Sequence, residues 1–280
     1  MLPKLGILAG GGDLPRRLID ACLATGREIF VVAFDGQADP QTLFQGDRKN
    51  VPHAWVRLGA AGKALGMLKK AAVADLVMAG SIKRPSLRQL RPDTWTAGFF
   101  MKTGAAALGD DGILTAVIKA LQAEGFNIVG VDDLLPEMLA PAGPFGVYRP
   151  RDADITDINA ALGAALRIGE QDIGQGAVAR GGVVIAEENA NGTDAMLAGL
   201  PPVPLGRRSG VLVKVSKPGQ EKRADLPAIG VKTVLAAAAA GLSGIAVQAG
   251  AALVIGYDDV VTAANRNGLF VTGIDLEHGS

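Results

Sequence analysis

The chain has 280 residues, 49% apolar, 20% charged and 4% aromatic, with a formal net charge of zero. That length fits one large domain or two medium ones, and a neutral chain with few aromatic rings and no long basic run is poorly suited to nucleic acid. The single cysteine, Cys22, and the two histidines, His53 and His278, exclude an internal disulfide and a Cys/His zinc site. Any metal would be held by oxygen ligands, which favours Mg2+ or Mn2+.

The N-terminal half alternates strand and helix. Lys4 to Ala9 reads as a buried strand, and Leu14 to Ala24 as a helix with Asp13 as its N-cap and Gly26 past its end. Glu28 to Phe34, His53 to Leu58, Asp75 to Ala79 and Asn127 to Val131 read as further strands. Gly62 to Ala72 and Ile113 to Glu124 read as helices between them. Such alternation means βαβ units and a mostly parallel sheet. Cys22, on an apolar helix face, reads as a small buried residue.

Pro141, Pro144 and Pro150, with Gly143 and Gly146 among them, mark a linker over 139–150. A long helix follows from Asp152 to Gly169, then two strands pinched at Gly181-Gly182. Thr193 to Ala198, Val231 to Ala240 and Val260 to Asn265 read as helices. Val211 to Val215, Ile245 to Gln248, Leu253 to Ile255 and Leu269 to Ile274 read as strands. The expected architecture is two α/β domains. The first (1–138) is Rossmann-like with a mostly parallel sheet, and the second (151–280) is a smaller mixed α/β domain, with a ligand cleft between them. Thr233 to Tyr257 has no charge, but Gln248 and four glycines interrupt it, so it does not read as a membrane span. The N-terminus lacks the features of a signal peptide. A cytoplasmic location follows, with peripheral contact at the inner membrane left open.

Four segments are candidates for chemistry. In the first, a strand turns through Gly10-Gly11-Gly12 into a helix, where backbone N–H groups attract phosphate. Asp35, at the end of the second strand, would suit the ribose of a dinucleotide and so an NAD(P)-dependent oxidoreductase. Pro15, however, stands where the third glycine of that fingerprint belongs, and no Walker lysine follows. A tight turn without a ligand would look the same. The second segment, Gly80 to Pro85, leaves a strand at the sheet edge where ligands bind. Lys83 and Arg84 there suit phosphate or a solvated loop. The third holds Lys102-Thr103-Gly104 and then Gly109-Asp110-Asp111-Gly112 ahead of a helix. Asp110 as N-cap and Asp111 against the helix dipole explain both acids, as would a hard cation. The fourth, Lys214 to Thr233, runs from a buried strand through a long polar loop into an apolar helix, with Lys214, Lys217, Lys222 and Arg223 near the acid Asp225, suited to a phosphate and its metal. Asp132-Asp133 and Asp258-Asp259 are weaker candidates that fit helix caps.

Taken together, the stretches AGGGDLP (9–15), GSIKRP (80–85), MKTGAAALGDDGIL (101–114) and KPGQEKRADLPAIG (217–230), with VKTV after it, resemble UDP-2,3-diacylglucosamine pyrophosphatases of the LpxI type. The resemblance covers essentially the whole chain. It implies a two-domain, Mg2+-dependent enzyme of lipid A biosynthesis that hydrolyses UDP-2,3-diacylglucosamine to UMP and 2,3-diacylglucosamine 1-phosphate (lipid X). It also implies a homodimer that binds its substrate between the two domains. Carried onto this chain, Asp225 is the candidate essential acid, binding Mg2+ or orienting the attacking water, with Asp110 and Asp111 as further metal candidates. Lys214, Lys217, Lys222 and Arg223 would neutralise the pyrophosphate. Gly11, Gly12 and Asp13 would face the nucleotide, and Ser81, Lys83, Thr103 and Thr233 complete the substrate-binding set. A non-catalytic carrier of a nucleotide sugar or lipid remains the other alternative.

Overall fold

The computed structural model describes residues 2–83, 90–104, 109–203, 207–219, 221–223 and 225–276, with Thr42 and Asp110 described in their backbone alone. The chain divides into two compact units. The first comprises Met1–Pro136 and Glu221–Asp225, and the second Glu137–Gln220 and Leu226–Ser280.

In the first unit the strands are β1 (Leu5–Ala9), β2 (Ile29–Phe34), β3 (His53–Val56), β4 (Asp75–Ala79) and β5 (Asn127–Ile128). They form a parallel sheet in the order β3-β2-β1-β4-β5. The order reverses between β1 and β4, so the crevice for a ligand lies beyond the carboxyl ends of those two strands. The helices are α1 (Leu14–Thr25), the short α2 (Pro40–Leu43), α3 (Ala61–Lys70), α4 (Thr94–Thr103), α5 (Asp110–Ala123) and the short α6 (Val131–Leu134). Leu65 and Leu68 of α3 and Ile118 and Leu121 of α5 pack with Val32, Leu76 and Ile128. Each such leucine removed from water contributes about 2 kcal/mol. A Cβ at Gly6 would lie 2.6 Å from Leu76 and 2.9 Å from Leu68, so the bare backbone there lets the core close over β1.

Several local features, the short α2 among them, differ from the sequence expectation. α4 has no counterpart in it. Asp93 starts that helix by accepting from the Thr96 N–H at 2.8 Å, and Gly104 ends it in the left-handed region at φ 62°. The strand expected over Asn127 to Val131 stops after two residues, because Val131 begins α6 and the Asp133 carboxylate accepts from the Gly130 N–H at 2.9 Å. The N-cap of α5 is Gly109, with extended backbone, and not Asp110, which is its first helical residue.

The second unit contains β6 (Gly143–Pro144), α7 (Asp152–Glu170), β7 (Gly176–Arg180), β8 (Val183–Glu187), α8 (Gly192–Ala198), β9 (Val211–Lys214), β10 (Ala228–Gly230), α9 (Val231–Ala239), β11 (Gly244–Gln248), β12 (Leu253–Ile255), α10 (Tyr257–Arg266) and β13 (Phe270–Ile274). Its main sheet runs β6-β13-β11-β9-β7-β8, with β13, β11 and β9 parallel and the flanking pairs antiparallel. β10 and β12 form a separate parallel pair. Residues alternate between the faces as a strand requires. Val211 and Val213 of β9 pack with Ile158, Ala161 and Ala165 of α7, while Leu212 packs with Val234 and Ala237 of α9 and Val260 of α10. The proline-rich stretch read as a linker carries β6 and the buried residues Ala140 and Phe145. Pro144, which has no N–H, sits on an edge strand where that loss is tolerated.

Candidate active site

The glycine turn after β1 is tied to the loop after β4. Gly11 and Ser81 exchange both backbone hydrogen bonds, at 2.8 and 2.9 Å, and the Gly10 N–H donates to the Ala79 carbonyl at 2.8 Å. Two of the three glycine N–H groups are therefore satisfied by the protein, and the donors left for an anion are those of Gly12 and the first turn of α1. This weakens the dinucleotide reading further. Pro15 has a structural partner as well, since a Cβ at Gly80 would lie 3.0 Å from Pro15 Cγ and 2.4 Å from the Gly11 carbonyl. Gln37, which the sequence did not single out, clamps the same corner. Its side chain accepts from the Lys83 N–H at 2.8 Å and donates to the Lys83 carbonyl at 3.2 Å. Ser81 and Lys83 are exposed on this edge, and Arg84 lies outside the described residues.

Asp13 stands at the N-cap of α1 but makes no capping bond. Its carboxylate instead accepts from Arg16 at 2.5 and 2.8 Å and from Arg17 at 2.7 Å. The Arg16 hydrogen bond first, and Arg17 with it, holds the Asp13 carboxyl below its ordinary value against the opposing effect of burial. Asp13 therefore orders two guanidinium groups at the turn. Thr103, near the end of α4, donates to the Phe99 carbonyl at 2.7 Å.

The segment Glu221–Asp225 belongs to the first unit although the chain on either side belongs to the second. The Asp225 N–H donates to the Glu221 carbonyl at 3.2 Å, closing one turn. Asp111, in the first turn of α5, accepts from the Glu221 N–H at 3.3 Å. Arg223 donates to both Glu221 carboxylate oxygens, at 2.8 and 2.7 Å, and this hydrogen bonding holds the Glu221 carboxyl below its usual range. Two of the metal candidates, Asp111 and Asp225, thus lie on one small assembly, with Lys222 exposed on it. Among the described residues no group of three acidic, histidine or cysteine side chains is arranged to hold a metal. Mg2+ asks for less than that, since it is commonly held by one or two carboxylates together with phosphate oxygens and water.

The remaining candidates lie in the second unit. Lys214, at the end of β9, is buried and donates to Thr193 Oγ1 at 2.7 Å. Thr193 donates to Glu188 at 2.5 Å, and Glu188 lies 3.9 Å from the Lys214 ammonium. Lys217 pairs with Asp172 at 2.8 Å. Thr233 accepts from the Gly230 N–H at 3.4 Å at the start of α9. Of the four basic residues expected around the pyrophosphate, Lys214, Lys217 and Arg223 are already engaged by protein groups, and among the described residues Lys222 has no ion pair. The acids that hold the others, Glu188, Asp172 and Glu221, are distant in sequence or were not singled out.

Cys22 is 6% exposed and burial pushes its thiol up, which suits an inert core residue. His53 stacks on Phe44 with ring centroids 3.8 Å apart and contacts the Val51 carbonyl at 2.8 Å. No helix among the described residues is long and apolar enough to cross a membrane.

Comparison with known proteins bears on both units. Residues 4–138 match the model of the LpxI N-terminal domain and residues 141–272 that of the LpxI C-terminal domain. The chain is 42% identical to the UDP-2,3-diacylglucosamine pyrophosphatase LpxI of Caulobacter vibrioides over 279 residues, covering 97% of this chain and 98% of that protein. Among solved structures, CobK precorrin-6A reductase aligns with a TM-score of 0.34 and 12% identity, over 98% of this chain and 88% of its own, a likeness too slight to carry an argument. The two domain matches and the near full-length identity show that the chain belongs to the LpxI family.

Proposed function

We propose that this chain hydrolyses the pyrophosphate bond of UDP-2,3-diacylglucosamine, releasing UMP and 2,3-diacylglucosamine 1-phosphate in lipid A biosynthesis. The observation that carries this reading is the 42% identity, spread over 97% of the chain, to a protein of that name. The geometry of the first unit supports it. Phosphoryl transfer to water asks for positioning and charge neutralisation more than for covalent help. Asp225, on a turn held by Asp111 and braced by the Glu221–Arg223 pair, accepts a hydrogen bond from the attacking water and orients it. Lys222 meets the phosphoryl oxygens. Asp13 holds Arg16 and Arg17 beside the glycine turn, where the nucleotide end of the substrate is placed. Asp225 and Asp111 would hold Mg2+, which when bound offsets negative charge on the phosphoryl oxygens. In this reading the active species is a homodimer, and a monomeric mass in solution would count against that part.

Release of UMP from the lipid-linked substrate, with Mg2+ and again with excess EDTA, tests the reaction and its metal. Turnover that EDTA abolishes is expected. No UMP with Mg2+ present would overturn the proposal, and unchanged turnover in EDTA would remove the metal from it. Asp225→Ala is expected to retain substrate and lose turnover by three orders of magnitude or so, on the scale of removing one essential polar group.

A further inference from the structure

The second unit holds a cavity of about 990 Å³ that none of the candidate site residues lines. It opens at the amino ends of β11 and β13, beside Ser243 and Phe270, whereas Lys214 ends β9 at the opposite edge of the sheet. One part of its wall is apolar, with Leu197, Leu200, Val203, Ala236 and Phe270 among the residues there. Its rim carries Arg149, Arg151, Arg207 and Arg208, a concentration of positive charge in a chain whose formal net charge is zero. The two rim acids do not cancel it. Asp154 is 3% exposed and accepts from both the backbone and the guanidinium of Arg151, each at 2.9 Å, leaving Asp194 to set against the other three arginines. Arg208 is held by the Ala238 and Leu242 carbonyls, both at 3.3 Å, and so points its charge to a fixed place. Among the described residues Arg149 and Arg207 make no ion pair or hydrogen bond. Beside the rim, Val147 is 71% exposed and Tyr148, which lines the cavity, 45%.

An open cavity that combines an apolar wall with a cluster of guanidinium groups is complementary to one kind of ligand, an acyl chain joined to a phosphate. Arginine pairs bidentately with phosphate oxygens, and tyrosine beside an exposed aliphatic residue is the usual company of a membrane interface. A single buried chain gives only weak membrane attachment, and a basic patch supplies the second attraction that makes it effective. We propose that this cavity docks the second unit on the surface of a bilayer by taking up an anionic phospholipid, the acyl chain within the walls and the phosphate at the rim. Its lining includes no residue of the proposed hydrolytic site, and the inference stands whether or not the proposed reaction is correct.

Co-sedimentation of the full chain with vesicles tests it. Vesicles of phosphatidylcholine containing phosphatidylglycerol are expected to carry the protein down at low ionic strength, and vesicles of phosphatidylcholine alone to leave it in solution. R149E together with R207E, two exposed positions, should weaken partitioning roughly fivefold or more for each charge. A239W, which fills the cavity from the last residue of α9 and leaves every arginine in place, should weaken it as well. Equal partitioning to both vesicles, none to either, or partitioning that neither variant changes would overturn the proposal. Release of UMP from detergent-dispersed substrate, measured in parallel, separates the two sites. The rim variants are expected to turn it over as the parent does, and a loss there equal to the loss of vesicle binding would mean that the cavity is a substrate subsite and not a membrane dock.

Discussion

The corner between β1 and β4 depends on single atoms. At Gly80, φ is +88° and a Cβ would sit 2.4 Å from the Gly11 carbonyl oxygen, a backbone atom that cannot rotate away. Gly12 has the same φ of +88° but open space around it. Gly80→Ala should therefore cost about 2 kcal/mol or more, combining strain with the broken Gly11–Ser81 bridge, while Gly12→Ala pays for strain alone. Thermal unfolding of the two variants checks the order, and faster amide exchange at Gly11 in the first checks the cause. Asp13 makes a prediction in pH. Its folded pKa lies below the ordinary value of 3.8, with the Arg16 hydrogen bond the largest cause. A depressed carboxyl stabilises the fold fully above the unfolded pKa and loses that contribution as pH falls through the folded pKa. Asp13→Asn should thus be less stable than the parent at neutral pH by no more than about 1 kcal/mol, since the carboxylate is partly exposed. The difference should vanish in denaturant titrations carried well below pH 3.8.

The end of β9 is joined to the loop before α8 by buried charge. Lys214, Thr193 and Glu188 form one network, with both charged side chains 8% exposed. Lys214→Met removes the cation that faces Glu188 in a buried site, and breaking such a buried pair by removing one partner costs about 3 kcal/mol. Lys214→Met combined with Glu188→Gln should recover most of that loss in thermal melts, because the penalty belongs to the unpaired charge and not to the missing bond. This network also shows how far the sequence could be read. The strand ending at Lys214 was legible from its apolar run, and so were β1, β2, β4, α1, α7 and the hairpin at Gly181-Gly182, whose patterns and turns are local. Glu188 and Asp172 were not, since nothing near an acidic residue in a loop says which lysine it will meet. α4 was missed for a related reason. Its cap is a single Asp93, and its aromatic residues obscure the helical period. Gln37 carried no signal at all, because its part in holding Lys83 depends on the order of the strands.

At the scale of the whole chain, the decisive feature is the return of Glu221–Asp225 to the unit formed by the first 136 residues. The motif around Asp225 could be recognised in sequence, but its pairing with Asp111 could not, since 110 residues separate Asp111 from the N–H it accepts. If that contact builds the hydrolytic centre, Asp111 and Asp225 act as a unit and their effects on rate will not add. Asp225→Asn alone should remove nearly all UMP release, Asp111→Asn should remove much of it and raise the Mg2+ concentration needed for half-maximal rate, and the double variant should be no slower than Asp225→Asn. The Asp111→Asn side chain can still accept from the Glu221 N–H through its amide oxygen, so the turn is expected to persist and the loss to reflect charge. Measured kcat/KM values closing a double-mutant cycle decide the matter. A coupling energy near zero, with the two losses simply adding, would mean that Asp111 and Asp225 act independently and do not form one centre.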